Sequence, residues 1–168
     1  MAEAKPAAPH FRRVVTGHDR AGKAKVLIDA PATNVKLAPG STNRSVLMWV
    51  TDETPADIRI GEDIADEGAR ILGTPPPENG TRFAVIEFGP RQGGEMHRTE
   101  TLDYVIVISG CIDMKMDGDE LVKLGPGDIL VQRGTHHQWI NPYDEPARVA
   151  FVLVDAKPLG IGHPRPRL

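Results

Sequence analysis

The 168-residue sequence has one cysteine, few aromatic residues (5%) and no excess of positive charge. Because Cys111 is the only cysteine, an internal disulfide and a thiolate-rich zinc site are both excluded, which suits a reducing compartment. The net charge of -3 at pH 7 leaves no reserve of positive charge for nucleic-acid phosphates or an anionic membrane. We therefore expect neither nucleic acid nor a membrane surface as a partner.

Long apolar runs are also absent. No segment approaches the roughly 20 apolar residues that cross a bilayer, and the opening residues lack the apolar core of a secretory signal. These features predict a soluble, cytoplasmic protein. A chain of 168 residues with 40% hydrophobic content suits one globular domain.

Glycine (17 residues) and proline (15 residues) are plentiful and separate short runs rich in Val, Ile, Leu and Met. This pattern of short apolar runs separated by turn residues is typical of an all-β protein. A domain with this many strands must close into a barrel or sandwich to protect the strand edges. The predicted strands are residues 12–16, 25–29, 45–51, 81–88, 102–109, 111–116, 120–124, 129–132, 136–140 and 147–154.

The segments between strands predict the domain organisation. The turn at 117–119 has hairpin chemistry, because Asp and Gly tolerate the positive φ of tight turns. The acidic excursion 52–80 is interpreted as a surface loop with one helical turn around residues 64–71, or alternatively as a lid over the barrel mouth. Residues 11–156 would then form the barrel domain, flanked by a flexible arm at 1–10 and a tail at 157–168.

We expect the functional site to include residues 93–110. On an extended chain, His97, Thr99, Thr101 and Asp103 share parity, so they project to the same side of the sheet. A barrel can bring His137, from a later strand, beside them. Two imidazoles and one carboxylate resemble the ligand set of non-haem Fe(II) sites and suit a borderline divalent metal.

These residues resemble the two motifs of the cupin superfamily, which read G-x5-H-x-H-x3,4-E-x6-G and G-x5-P-x-G-x2-H-x3-N. In the first motif, His97 stands at the first histidine, Asp103 at the glutamate and Gly110 at the final glycine. In the second motif, His137 takes the histidine position and Asn141 the asparagine position. The resemblance implies a single-domain cupin β-barrel of the double-stranded β-helix, or jelly-roll, kind.

The sequence departs from the first motif at two ligand positions. Thr99 stands where the family usually has a second histidine, and Asp103 replaces the glutamate. The resemblance still implies a divalent metal ion (Fe, Mn, Ni or Zn) held by His97, Asp103 and His137, with reduced affinity and no organic cofactor. The alternative is a metal-free pocket in which the two histidines bond to Thr99, Asp103 or water.

Thr99, Met114 and Trp139 are the candidate substrate contacts. The Thr99 hydroxyl would position a water or a substrate oxygen, while Met114 and Trp139 would form apolar walls. Plain barrel packing is the alternative for both apolar residues. His136 has the opposite parity to His137 and is expected to point away from the pocket.

Two classes of function follow from the resemblance. The first is a metal-dependent enzyme acting on a small organic substrate as an isomerase, decarboxylase, lyase or dioxygenase. The second is a non-catalytic domain that binds or senses a small ligand in a degenerate or metal-free site. In both cases the partner is a small molecule, and the resemblance to cupins of this size implies a homodimer.

Overall fold

The computed structural model describes residues 11–37 and 40–166, and the predicted arm at 1–10 lies outside them. The described residues form strands and two short 3-10 turns, with no helix long and apolar enough to cross a membrane. The all-β prediction is confirmed, and every predicted strand is present with ends shifted by two residues or fewer. The strands are β1 (Arg12–His18), β2 (Ala24–Pro31), β3 (Val35–Leu37), β4 (Arg44–Thr51), β5 (Thr81–Phe88), β6 (Gln92–Gly93), β7 (Thr101–Ser109), β8 (Ile112–Met116), β9 (Leu121–Leu124), β10 (Ile129–Arg133), β11 (His137–Asn141) and β12 (Ala147–Asp155).

Two strands, β3 and β6, were not predicted. They have three and two residues, respectively. Runs this short carry no readable alternation of apolar and polar residues. They are extended because each pairs with a longer neighbour, β3 with β4 and β6 with β11.

The strands form two facing sheets and a separate hairpin. The larger sheet has the order β10-β7-β12-β5-β4-β3, the smaller has the order β6-β11-β8-β9, and β1 pairs with β2 alone. All the pairings are antiparallel. The hydrophobic core lies between the two sheets, because its buried members come from both of them: Phe88, Val105, Val107, Val149, Phe151 and Leu153 from the larger sheet, and Ile112, Met114, Leu124 and Trp139 from the smaller.

The register of the larger sheet places three polar residues in one row. Leu153 of β12 is opposite Arg82 of β5 on one side and Asp103 of β7 on the other. Asp103 is in turn opposite Gln132 of β10. Residues directly opposite each other in antiparallel strands share a face, so all four side chains point to the inside of the molecule.

The excursion 52–80 is held against the hairpin and the larger sheet. It contains one 3-10 turn, Glu67–Ala69, within the stretch where a helical turn was predicted. The Arg13 guanidinium donates to Asp66 Oδ2 at 2.5 Å. The Asn34 side chain donates to two carbonyl oxygens of the same segment at 3.0 and 2.6 Å. These bonds fix the second half of the excursion to β1 and to the residue that precedes β3.

Two glycines with similar backbone angles allow a test of the strand connections. Gly110 (φ +71°) links β7 to β8, and a Cβ there would lie 2.3 Å from the Pro146 carbonyl oxygen. Gly118 (φ +68°) lies in the predicted 117–119 turn, and a Cβ there meets nothing within 4 Å. The positive φ expected of that turn is therefore observed.

We predict that Gly110→Ala destabilises the protein more than Gly118→Ala does. Both substitutions place alanine in the left-handed region, at a cost of about 1–2 kcal/mol. Only Gly110→Ala adds a clash with backbone, which cannot move aside as a flexible side chain can. Urea unfolding of both variants measures the difference in free energy of unfolding, and equal losses would contradict the prediction.

Candidate functional site

The structure brings His97 and His137 together. Their backbones form an isolated antiparallel bridge, in which the His97 N–H donates to the His137 carbonyl at 2.9 Å and the His137 N–H donates back at 2.8 Å. The two ring centroids lie 4.4 Å apart, with 52° between the ring planes. The imidazoles are therefore neighbours on the inner side of β11, at the end of the barrel where the chain enters β7.

Backbone hydrogen bonds define the tautomer of each ring. His97 Nδ1 lies 2.8 Å from the Glu95 carbonyl oxygen, and His137 Nδ1 lies 3.0 Å from the Thr135 carbonyl oxygen. Because a carbonyl oxygen only accepts, each Nδ1 carries the hydrogen and each Nε2 presents a lone pair. This is the arrangement that orients a metal-binding histidine or a neutral imidazole base.

Asp103 is connected to His137 through Gln132. The Gln132 Nε2 donates to Asp103 Oδ2 at 3.1 Å and lies 3.3 Å from His137 Nε2. All three side chains are buried. Asp103 Oδ1 and Gln132 Oε1 are buried without a hydrogen-bond partner in the described part of the chain. The centre of the site thus contains two unsatisfied oxygen atoms next to an imidazole.

Thr99 takes part in a neighbouring hydroxyl pair. Its Oγ1 lies 2.6 Å from Thr101 Oγ1, and both side chains are buried. Thr99 therefore lies on the inner face with His97, as its parity predicts, but its hydroxyl is engaged with Thr101. Its contact with a substrate stays a prediction.

Burial is the main cause of the pKa shifts in the site. It raises the pKa of Asp103 to about 6, although hydrogen bonds from Thr101 and Gln132 and the charge of Arg82 favour the ionised form. Burial also lowers the pKa of His137 to about 4 and lowers the pKa of His97. Both imidazoles are therefore neutral at pH 7, which leaves both Nε2 lone pairs available.

Trp139 and Met114 form the apolar base of the site. The Trp139 ring lies edge-on to His137, with centroids 6.0 Å apart, and edge-on to Phe151 at 5.3 Å. Met114 and Trp139 are both buried members of the core cluster. Their packing role is clear from these contacts, and their predicted contact with a substrate remains a prediction.

The site contains candidate ligands for the metal ion that the resemblance implies. The Nε2 lone pairs of His97 and His137 and the unsatisfied Asp103 Oδ1 have the chemistry of ligands for a borderline divalent ion. Over residues 11–37 and 40–166, however, no three His, Cys, Asp or Glu side chains are grouped closely enough to hold an ion. The Gln132 amide contacts both Asp103 and His137 and lies between them. The two imidazoles supply two neutral nitrogen donors, but as the side chains stand they do not form a triad with Asp103.

Two residues near the site were not identified from the sequence. Gln132 lies on the inner face of β10, two residues from the apolar Leu130. Arg82 lies on the inner face of β5, which it shares with the apolar Ala84 and Ile86. A polar residue at a position whose neighbours of the same parity are apolar was therefore a readable signal. It marks a side chain that is buried in the core or in a cavity.

Arg165 brings a third unpredicted group to the site. The Arg165 N–H donates to the Arg98 carbonyl oxygen at 2.9 Å, and its guanidinium lies 3.3 Å from Glu95 Oε2. The positive charge of Arg165 contributes to the lowered pKa of both His97 and His137. The tail predicted at 157–168 is therefore in contact with the site, and residues 167–168 lie outside the described residues.

We predict that the shifts of Asp103 and His137 have opposite effects on stability. The pKa of Asp103 in the folded protein, about 6, is above its value in the unfolded chain. Its contribution to the stability of the fold is therefore lost as the pH rises from about 4 to 6. The pKa of His137 in the folded protein, about 4, is below its value in the unfolded chain. Its contribution to the stability of the fold is therefore lost as the pH falls from about 6.5 to 4. In the wild type the two contributions largely cancel.

Replacing either side chain should reveal the pH dependence of stability that the other one causes. From pH 4 to 6.5, Asp103→Asn should gain stability relative to wild type, on the order of 3 kcal/mol. His137→Gln should instead lose stability relative to wild type over the same range, by a similar amount. Urea unfolding in the presence of a chelator, at pH 4.5, 5.5 and 6.5, measures both trends. Parallel pH profiles for the three proteins would contradict the assignment.

Comparison with known proteins agrees with this architecture. A family model described as a cupin domain matches residues 84–154. Phomopsin biosynthesis cluster protein C' of Diaporthe leptostromiformis is 35% identical over 155 residues, which cover 89% of this chain and 80% of that protein. The cupin-domain-containing oxidoreductase srdD of Neurospora crassa is 31% identical over 159 residues, which cover 89% of this chain and 79% of that protein.

A solved structure shows the same fold. An uncharacterized conserved protein with a double-stranded beta-helix domain from Klebsiella pneumoniae superposes with a TM-score of 0.51 at 17% sequence identity. The match covers 74% of this chain and 85% of that chain. The facing sheets, the paired histidines and these similarities together establish that the chain belongs to the cupin family and has its double-stranded β-helix fold.

Proposed function

We propose that this protein is a cupin-type enzyme that acts on a small organic molecule, with His97 and His137 as its catalytic pair. The observation that carries the proposal is the presence of two adjacent neutral imidazoles, each with its Nδ1 bonded to a carbonyl and its Nε2 lone pair available. Such a pair can accept a proton or bind a metal ion, and both are enzymatic uses of histidine.

The relatives support a role in small-molecule biosynthesis. Two relatives at 35% identity are named as phomopsin biosynthesis cluster proteins, and others at 31 to 34% identity are named cupin-domain-containing oxidoreductases. We extend from these names only the general class, an enzyme on a small organic substrate. Isomerase, decarboxylase, lyase and dioxygenase reactions all remain within the proposal.

The proposal includes a divalent metal ion, Fe, Mn, Ni or Zn, for which His97, His137 and Asp103 would be the ligands. When bound, such an ion supplies Lewis-acid or redox chemistry. The Nδ1–H bonds to Glu95 and Thr135 keep each ring turned with Nε2 inward. Trp139 connects the site to the hydrophobic core, because it packs edge-on to His137 and belongs to the core cluster.

The chain's own residues also provide proton chemistry. His137 Nε2 is a proton acceptor that stays unprotonated at pH 7, because burial has lowered its pKa to about 4. Gln132 holds Asp103 and His137 in one line by donating to Asp103 and lying 3.3 Å from His137 Nε2. Asp103 can therefore take or release a proton near pH 6 without leaving the hydrogen-bonded chain.

A non-catalytic binding or sensing domain is the second candidate. The observation that favours it is the position of Gln132, whose amide nitrogen lies within hydrogen-bond distance of His137 Nε2, a position that an ion would need. In that function the imidazoles, Asp103 and Thr99 would only hydrogen-bond a ligand. The two candidates differ in metal content and in turnover, and both can be measured.

We predict stoichiometric binding of a divalent metal that depends on both histidines. Protein purified without a metal-affinity tag is analysed by elemental mass spectrometry, and Zn²⁺ and Mn²⁺ binding to the chelator-stripped protein is followed by calorimetry. His97→Ala and His137→Ala should each lose the ion. His136→Ala is the matched control, because His136 is half-exposed beside Asp117 rather than in the site. Equal binding by all four proteins would refute the metal site.

We also predict turnover that requires the same pair. A small-metabolite extract is incubated with the metal-supplemented protein, and untargeted mass spectrometry identifies compounds that are consumed with time. Wild type and His136→Ala should consume the same compounds, and His97→Ala and His137→Ala should consume them at least tenfold more slowly. If no compound is consumed but one is retained by the protein, the binding function is correct.

The homodimer and the cytoplasmic location also remain proposals. An apolar patch on the outer face of β7 and β10 supports the homodimer, because its side chains are exposed and lie opposite each other in the register: Tyr104, Ile106, Ile129 and Val131. Large contiguous apolar patches on a protein surface commonly mark interaction sites.

A further inference from the structure

A cavity of about 260 Å³ opens where β3, β4 and β5 meet the second half of the excursion. Its lining includes Lys36, Ser45, Leu47, Arg82 and the neighbouring residues 70–72. Neither of the two imidazoles lines it. The cavity is therefore separate from the histidine pair, although Arg82 also lies in the same row as Asp103 on the inner face of the sheet.

Arg82 is a buried cation that forms no ion pair with any carboxylate in residues 11–37 and 40–166. Its side chain is 8% exposed, and its one hydrogen bond to described residues is a long one, from Nη2 to Ser45 Oγ at 3.5 Å. Its Nε is buried and has no hydrogen-bond partner among the described residues. Asp103, two strands away across Leu153, influences its pKa but is not within ion-pair distance of the guanidinium. An unpaired buried charge is costly, and an anion from outside the chain would compensate for it.

The charge around the cavity favours an anion. Lys36 lines it and forms no ion pair with any residue in the described ranges. Arg70, by contrast, is already paired with Asp52 and Glu67, each at 2.9 Å. Two uncompensated cations, one buried and one exposed, thus face the same space. A guanidinium binds a carboxylate through two parallel hydrogen bonds, which makes a carboxylate the best match.

The cavity lining also includes apolar side chains. Leu47 and Leu72 line it together with Ile71, which is 96% exposed, and Asn34 and Ser45 add polar groups. An isoleucine so exposed beside a cavity offers contact area to a bound molecule. The cavity therefore combines two cationic side chains with apolar ones. Its volume limits the ligand to a small molecule.

We propose that this cavity is a binding site for a small organic acid, in which Arg82 binds the carboxylate, Lys36 adds attraction at the rim and the apolar body packs against Leu47, Ile71 and Leu72. Residues 70–72 of the excursion complete the site, and the Asn34 bonds to their backbone hold them in place. The site is independent of whether the histidine pair is catalytic.

The test compares charged and neutral ligands of the same shape. Benzoate and benzamide, and hexanoate and hexanamide, are titrated into the protein and followed by calorimetry and by ligand-observed NMR. Wild type should bind each carboxylate at least tenfold more tightly than its amide. Arg82→Met should lose that preference, and Lys36→Gln should weaken carboxylate binding by several-fold. His137→Ala should bind as wild type does, since the imidazole is outside the cavity.

A second measurement separates loss of binding from loss of folding. Because Arg82→Met replaces an unpaired buried charge by an apolar side chain of similar length, its Tm should rise above that of the wild type. If that variant does not fold, Arg82→Lys provides the comparison, because it keeps the charge but cannot form two parallel hydrogen bonds; carboxylate binding should fall by about tenfold.

Four results would overturn the proposal. They are the absence of carboxylate binding by the wild type, equal binding of amide and carboxylate, unchanged carboxylate binding by the folded Arg82 variants, and loss of binding in His137→Ala as large as in Arg82→Met. The last result would place the ligand at the histidine pair instead. Failure of the metal or turnover experiments would leave this site unaffected, so the two proposals can be distinguished.

Discussion

The register of β12 is the constraint on which the interior of this protein depends. Because Leu153 lies opposite both Arg82 and Asp103, the strand places two ionisable side chains on the same inner face, one on each side of an apolar residue. Asp103 then meets Gln132 on β10. A shift of β12 by one residue would turn Leu153 to the outer face and remove it from between Arg82 and Asp103.

Burial gives this row its chemistry. An apolar core surrounds the polar groups, so Asp103 retains its proton to higher pH and His137 stays neutral to lower pH than either would in water. At the other end of the row, Arg82 is also buried, and its Nε has no partner in the part of the chain that the structure describes. The interior therefore presents the Nε2 lone pair of His137 at one end of the row and the positive charge of Arg82 at the other. Both are expensive to bury, which is a common property of functional sites.

The excursion and the tail show how segments outside the sheets contribute to the site. Residues 70–72 border the Arg82 cavity, and the Asn34 side chain binds the backbone there. Arg165 of the tail lies beside Glu95, which in turn holds the His97 ring through its carbonyl. Loops carried by a rigid scaffold are frequent carriers of binding and specificity, and here they frame both ends of the polar row.

The amino-acid sequence by itself determined the all-β class, the ten longer strands and the inward parity of His97, Thr99 and Asp103, because alternation and turn chemistry are local properties. It also contained Arg82 and Gln132 as polar residues at apolar positions. What only the tertiary structure decided is which strands are neighbours. The meeting of His97 with His137, the amide of Gln132 between His137 and Asp103, and the cavity beside Arg82 all depend on pairings between residues distant in the chain, which strand patterns alone do not specify.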